Sequence, residues 1–411
     1  MKPRHALGCF LACALVVAAC SGGDEAAPET TTPAATTTLV APREEDSRLR
    51  LGVLLPSTDT LLGGPLLEAV ESAVAEINVA GGVLGQPVTT VVTDEADGAT
   101  AIGDLIDADV DAVIGPASSL VALGGLGEFV QAGVMTCSPT ATALALDEFP
   151  DAGLFFRTIP SDSMQADVIA DEAEATGRPT AAIAHVDDAY GRDFASAVDD
   201  EMATRSVEVV ETVAFVTRDD DLSDEARVLA QSGAEILVVL GTGEDSALFL
   251  AALDQQGPPT NIRVIVNGDI RTPDAQPLIE SLTSGFRSRI VGVAPQAVPE
   301  PGTEPSPLDG AYAVNAYDCV NLVALSSMLA GSTIGLDMIG QVQQATANGS
   351  GCTTFEECKT SFDDDLNFNY VGPTGILEIN AEGEPVRASF IRFTYDETGR
   401  DEAQPPFRHP A

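Results

Sequence analysis

The stretch LRLGVLLPSTDTLLGGPLLEAVESAVAEINVAGG (residues 49–82) decides the fold class. Residues 49–56 are a short, nearly continuous apolar run, as expected of a strand buried on both faces. A polar turn follows, and Pro65 then opens a helix. Leu66, Ala69, Val70, Ala73, Val74 and Ile77 recur at three-and-four spacing, and Gly81-Gly82 ends the segment. Strand, turn and amphipathic helix in that order are the first unit of a βαβ series.

The series continues on either side of residue 160. VTTVVTD (88–94), VDAVIGP (110–116) and VMTCSP (134–139) predict strands, with helices at 98–107 and 119–132. It restarts with strands at 180–188, 207–215, 235–243 and 262–269 and helices near 191–205, 222–231 and 245–256. DADVDAVIGPAS (107–118) and QSGAEILVVLGTG (231–243) echo each other, so the pattern predicts an α/β protein of two similar doubly wound lobes. A third section has a strand at 289–295 and helices at 310–329 and 335–347. ILEIN (376–380) and ASFIRFTYD (388–396) read as an antiparallel pair across AEGEP.

Ligands of open parallel sheets sit beyond the carboxyl ends of the strands. The residues there are Ser57, Thr58, Asp94, Ser118, Ser119, Ser138, Thr140 and Thr142 in the first lobe. In the second they are Asp187, Asp188, Tyr190, Thr242, Asn267 and Asp269. These are neutral donors, carboxylates and one phenol, with Arg271 following closely.

Composition narrows the function. The chain has 411 residues with 63 Asp+Glu against 20 Lys+Arg, a formal charge of −43. Such a surface repels phosphate backbones and anionic lipid, so nucleic acid is excluded as a partner. Residues 1–20, MKPRHALGCFLACALVVAAC, have a basic start, a short apolar run and small residues before Cys20, the order of a secretory signal. The ending resembles a lipobox, which makes Cys20 the lipidation site. Residues 21–48, with TTTPAATTT at their centre, read as a flexible tether with a reach of roughly 30 Å. Four cysteines remain: Cys137, Cys319, Cys352 and Cys358. An even number in an exported protein favours disulfides, Cys352 with Cys358 and Cys137 with Cys319, against the alternative of free buried thiols. Two histidines in the mature chain, His185 and His409, are too few for a zinc site. DDDLNFN (363–369) alternates oxygens as a calcium loop does but lacks the turn glycine. Neither GxSxG nor a P-loop occurs. A non-enzymatic chain without cofactor or metal is expected.

LGVLLPSTDTLLGGPLLEAVESAVAEINVAGGVLGQPV, VDAVIGPASS, GVMTCSPTAT, VDDAYGRDFA, GAEILVVLGTG, GAYAVNAYDCV and VGPTGILEIN together span nearly all of 49–396. In number, order and spacing they resemble the type I periplasmic-type substrate-binding proteins of branched-chain amino acid ABC transporters, in lipoprotein form. The resemblance implies two lobes joined by three hinge strands and a ligand closed between them. It also implies handover to ABC permease subunits by a monomer on the outer face of the membrane. A ligand-binding sensor on the same fold is the alternative, and a secreted hydrolase a more distant one.

Residue by residue, the resemblance implies that Ser119, Thr140 and Thr142, with Ser118 and Ser138 beside them, face a ligand carboxylate. Tyr190 would pack over the ligand backbone, and Asp269 would meet its ammonium. Leu62, Thr242 and Glu244 depart from the amino-acid-binding pattern, which leaves a branched-chain or other amino acid, an amide or a small carboxylate as ligand. The implied division is lobe one at 49–158 and 288–365, lobe two at 159–287 and 366–398, and a loose tail at 399–411.

Overall fold

The computed structural model describes residues 44–216, 221–299, 307–347 and 349–410. The segment expected to be a signal sequence, the expected lipidation site Cys20 and the expected tether up to residue 43 lie outside the described residues. The first sheet comprises β1 (Arg50–Leu55), β2 (Thr89–Asp94), β3 (Ala112–Ile114), β4 (Met135–Ser138) and β5 (Phe155–Arg157). All are parallel, in the order β2-β1-β3-β4-β5. Helices α1 (Gly63–Val79), α2 (Ala99–Asp107) and α3 (Ser119–Gln131) connect them. Leu66, Ala69, Val70, Ala73 and Ile77 of α1 are buried, as their spacing predicts.

The chain then crosses into the second lobe through residues 158–161 and enters α4 (Asp162–Ala175). The second sheet is built from β6 (Thr180–Val186), β7 (Glu208–Phe215), β8 (Ile236–Leu240), β9 (Arg263–Val266) and β10 (Ile290–Pro295). Around it lie α5 (Ala189–Thr204), α6 (Ser223–Gln231), α7 (Gly243–Gln255), α8 (Gln276–Ser281) and α9 (Ser284–Arg287). After residues 296–299 and 307–312 the chain is back in the first lobe with α10 (Ala313–Ala330), α11 (Gly335–Ile339) and α12 (Val342–Ala347). Then come β11 (Ser350–Cys352), α13 (Phe355–Asp363), β12 (Phe368–Gly372) and β13 (Gly375–Ile376), with β11–β13 forming a small third sheet. A third crossing, 377–387, returns to β14 (Ala388–Tyr395), β15 (Asp401–Ala403) and β16 (Phe407–His409).

Pairing corrects the implied boundaries. β10 pairs with β9 and β14, so 288–295 belongs with the second lobe. β12 and β13 pair with each other and β12 with β11, so 366–376 belongs with the first. The pair expected between 376–380 and 388–396 is not made: Ile376 meets Val371, and β14 runs antiparallel to β10. Only the Ile379–Pro385 bridge closes the AEGEP turn. The tail expected to be loose is strand, since β15 and β16 both pair with β14. His409 Nε2 lies 2.7 Å from Asp167 Oδ2 on α4. The tether ends earlier than 48, because Glu45 accepts from Ser332 Oγ at 2.7 Å and Thr333 N at 2.6 Å.

Central strands are buried except at an end residue or two, β8 without exception, whereas the edge strand β7 alternates exposed and covered residues. α10 is apolar and long enough to cross a membrane, but 83% of it is buried in the first lobe's core. Cys319 on α10 is bonded to Cys137 on β4, and Cys352 to Cys358, with Cα separations of 5.7 and 5.2 Å. The DDDLNFN segment is split between α13, a turn and β12. No group of His, Cys, Asp or Glu suited to a metal is found among the described residues.

Candidate functional site

Strand order reverses between β1 and β3 in the first sheet and between β6 and β8 in the second. Loops leaving a sheet at such a point diverge and open a crevice. The crevices of both sheets meet in one cleft of about 990 Å³. Two glycines shape its rim. Gly115, at φ +109°, lets the chain leave β3 against the Leu54 carbonyl. Gly191 packs so close to the Val186 carbonyl that no side chain fits, which seats the first turn of α5 on β6.

Six of the seven expected ligand residues line this cleft: Ser118, Ser119, Thr140, Thr142, Tyr190 and Asp269. Ser138 does not. It is 0% exposed, and its hydroxyl donates to Pro116 O at 2.6 Å while accepting from Ala141 N at 2.9 Å. Ser57 and Thr58 turn to Asp94, whose carboxyl is held down at about 2 by the Ala96 amide first and by Thr58 and Ser57 after it, and neither Ser57, Thr58 nor Asp94 lines the cleft. Asp187 pairs with exposed Arg192, and Glu244 also lies outside, whereas Leu62, Asp188 and Thr242 are in the lining.

One end of the cleft offers donors. Ser119 Oγ accepts from Thr142 N at 3.1 Å and Ala143 N at 3.2 Å, which leaves its own proton to donate outward. Ser118 caps α3 through Val121 N, and the amides of Ser119 and Leu120 at the first turn have no intrahelical acceptor. The division of labour differs from the expectation. The Thr142 amide is spent on Ser119, and the Thr140 hydroxyl donates to Ala117 O at 2.7 Å. Glu95, missed in the sequence, takes the amides of Ala117 and Ser118 at 2.8 and 3.1 Å. Burial pushes its carboxyl up while those amides pull it down.

The other end is acidic. Asp269 Oδ2 accepts from Tyr190 Oη at 3.0 Å and Asn267 Nδ2 at 3.1 Å. Burial raises its pKa and the Tyr190 bond lowers it. Beside it stands Asp162, the first residue of α4, only 2% exposed and with no donor to its Oδ2. Burial first, and the charge of Asp269 second, push Asp162 up to about 7. Tyr312 closes this end from a left-handed backbone conformation, φ +59°, just before α10. The phenols of Tyr190 and Tyr312 are both raised, by burial and then by the two carboxylates. Neither Asp162 nor Tyr312 was singled out in the sequence. A helix after residue 161 was not foreseen, although Ser161 followed by an acid and an apolar run is a start signal.

A family model described as periplasmic binding protein matches residues 49–297, more than half of the chain. The chain belongs to the periplasmic binding protein family. Within it, the Leu/Ile/Val-binding protein homolog 3 of Brucella melitensis is 27% identical over 218 residues, covering 51% of this chain and 58% of that protein. The chain thus spans little more than half the length of the curated relatives it matches. Among solved structures, the leucine-binding protein LivK of Thermotoga maritima aligns over 87% of this chain and 98% of its own, at TM-score 0.69 and 16% identity. The branched-chain amino acid binding protein LivJ of Streptococcus pneumoniae, in complex with isoleucine, aligns over 87% and 98% at TM-score 0.66 and 19% identity. At these identities the likeness establishes the type I periplasmic binding protein fold. The named relatives are binding proteins rather than enzymes.

Proposed function

We propose that this chain is an extracytoplasmic solute-binding lipoprotein that captures an amino acid between its lobes and passes it to an ABC permease. The observation that carries the reading is the polarity of the cleft. Outward donors at Ser119 and the start of α3 stand at one end, and the carboxylates of Asp162 and Asp269 at the other. A carboxylate satisfies the first without a cationic partner, and an ammonium satisfies the second. A molecule that carries both groups closes both ends at once. The names of the relatives, leucine-binding and Leu/Ile/Val-binding, agree with such a ligand.

In this reading the first lobe takes the carboxylate through Ser118 and Ser119, with Thr140 and Thr142 shaping the wall. The second lobe then closes by hinge motion at the three crossings and brings in Tyr190 and Asp269. The ligand favours the closed form by its contacts with both lobes, and the permease reads that form. Lipidation at Cys20 and the tether keep the body at the outer membrane face. Calorimetry on the full chain with leucine and lysine, each also as the methyl ester and the N-acetyl derivative, tests the reading. Either blocking group should abolish binding. A derivative that binds as tightly as its parent would remove the corresponding pole.

A further inference from the structure

We infer that the solute is a net cation: an amino acid with a basic side chain, whose second positive centre is held by Asp162. This rests on the reading of the cleft as an amino acid site and names the class of amino acid.

The argument is a charge inventory of the acidic end. Asp162 and Asp269 both face the cavity, whereas Glu95 lines it at the donor end, where it is held by the amides of Ala117 and Ser118. Asp269 is already furnished with two donors, a phenol and an amide, and needs one cationic group to complete it. Asp162 is buried more completely, yet its Oδ2 has no hydrogen-bond donor. An acid in the first turn of a helix favours the helix dipole, but an exposed carboxylate would serve that purpose equally. A buried carboxylate oxygen without a donor is a costly arrangement unless something outside the protein supplies one.

Arg271, Arg387 and Arg408 also line the cleft, but among the described residues no ion pair joins an arginine to Asp162 or Asp269. Arg157 lies near Asp162 but is held by Asp147 and Glu384. Arg271 pairs with Asp401. Arg387, 60% exposed and 4.0 Å from Glu378, and Arg408 on β16 belong to the exposed part of the cleft lining. A neutral zwitterion cancels its own carboxylate at the Ser119 end and brings a single ammonium to two acids. Closure over it would leave one acid buried without a cationic partner, either charged or forced to keep a proton. A lysine- or arginine-type solute brings two cationic centres. Its methylene stem has Leu61, Leu62, Ile159 and Leu377 of the cleft wall to lie against.

Isothermal titration of the full chain with L-arginine, L-lysine, L-leucine and L-glutamate decides the matter. Arginine or lysine should bind at least about tenfold more tightly than leucine. In Asp162→Asn their affinity should fall at least about tenfold, and by a clearly larger factor than that for leucine. Leucine binding as tightly as the basic amino acids overturns the inference and leaves the amino acid site standing. Full retention of basic amino acid binding in Asp162→Asn also overturns it, since Asp162 would then be a neutral wall residue. If none of the four binds, the amino acid reading falls with it. The melting point of unliganded Asp162→Asn is the control for folding, and it should equal or exceed that of the parent.

Discussion

Tyr190 Oη donates to Asp269 Oδ2 at 3.0 Å, joining the connection after β6 to the connection after β9. Asn267 donates to the same oxygen, so two protein groups hold one side of the carboxylate, and Asp269 Oδ1 accepts from neither. The Tyr190 ring packs against the apolar clusters of both lobes and lies 6.0 Å from Phe194, centroid to centroid.

Tyr190→Phe keeps the ring and removes the donor. Ligand affinity should fall about three- to tenfold, corresponding to the ~0.5–1.5 kcal/mol of one hydrogen bond. The ligand-free melting point should fall by only a few degrees, since Asn267 still donates to Asp269. Paired calorimetric and thermal measurements check both parts.

Two serines in neighbouring turns should differ in the balance of folding and binding, although Ser119, which accepts two backbone amides, also costs some stability when lost. Ser138 is buried and bonded wholly to the protein, so Ser138→Ala should cost about 1–3 kcal/mol of stability. Its effect on affinity should be secondary. Ser119→Ala takes the outward hydroxyl, and ligand affinity should fall by about tenfold or more. Denaturant midpoints and dissociation constants of both variants, measured side by side, test this division.

That contrast also marks how far the sequence could be read. Strand-turn-helix units were legible because apolar runs and three-and-four spacing are local properties, and six of seven expected residues do reach the cleft. Ser138 carries the same residue type at a strand end as Ser119 does nearby. Only the turn of the chain around Pro116 sends one inward and the other outward. Asp162 was invisible because its meaning depends on Asp269, which lies 107 positions later in the sequence. The fate of β10, β12 and the C-terminal strands was misread for a similar reason. Three crossings decide which lobe each segment joins, and long-range pairing leaves no local mark.

Stability should depend on pH in a direction opposite to that of most paired carboxylates. Burial, and for Asp162 also the neighbouring Asp269, push Asp162 and Asp318 up to about 7 each. Asp318 is buried under Tyr370 and Thr374, which donate to it. Asp147 and Arg157 complete the charges around Asp162. In the unfolded chain both carboxyls titrate near ~4. Between about 4 and 7 the folded protein therefore holds protons that the unfolded chain has released, and stability falls as pH rises through that window. The ligand-free melting point should be higher at about pH 5.5 than at about pH 8, and Asp162→Asn should reduce the difference. A melting point that climbs steadily over this range would contradict the assignment.

Arg157 is the ion on which the junction of the lobes depends. It is 0% exposed at the end of β5, donates through Nε to Glu384 at 2.6 Å and pairs with Asp147. It also donates through Nη1 to the Ala141 carbonyl at 3.1 Å. Glu384 belongs to the third crossing, so one guanidinium ties the end of β5, just before the first crossing, to the third. Ser161 donates to Asp147 at 2.8 Å and holds the start of α4, hence the position of Asp162, in the same network. Arg157→Met keeps bulk but leaves Glu384 and Asp147 without their cation, and removing one partner of a buried pair costs about 3–5 kcal/mol. Arg157→Lys should not rescue it, because an ammonium cannot span both carboxylates and the carbonyl in the planar geometry of the fork. Arg157→Met combined with Glu384→Gln should recover part of the loss, since the more deeply buried acid is then neutral. Urea midpoints for the single and double variants give the comparison. A single variant as stable as the parent would mean that the junction is held by packing alone.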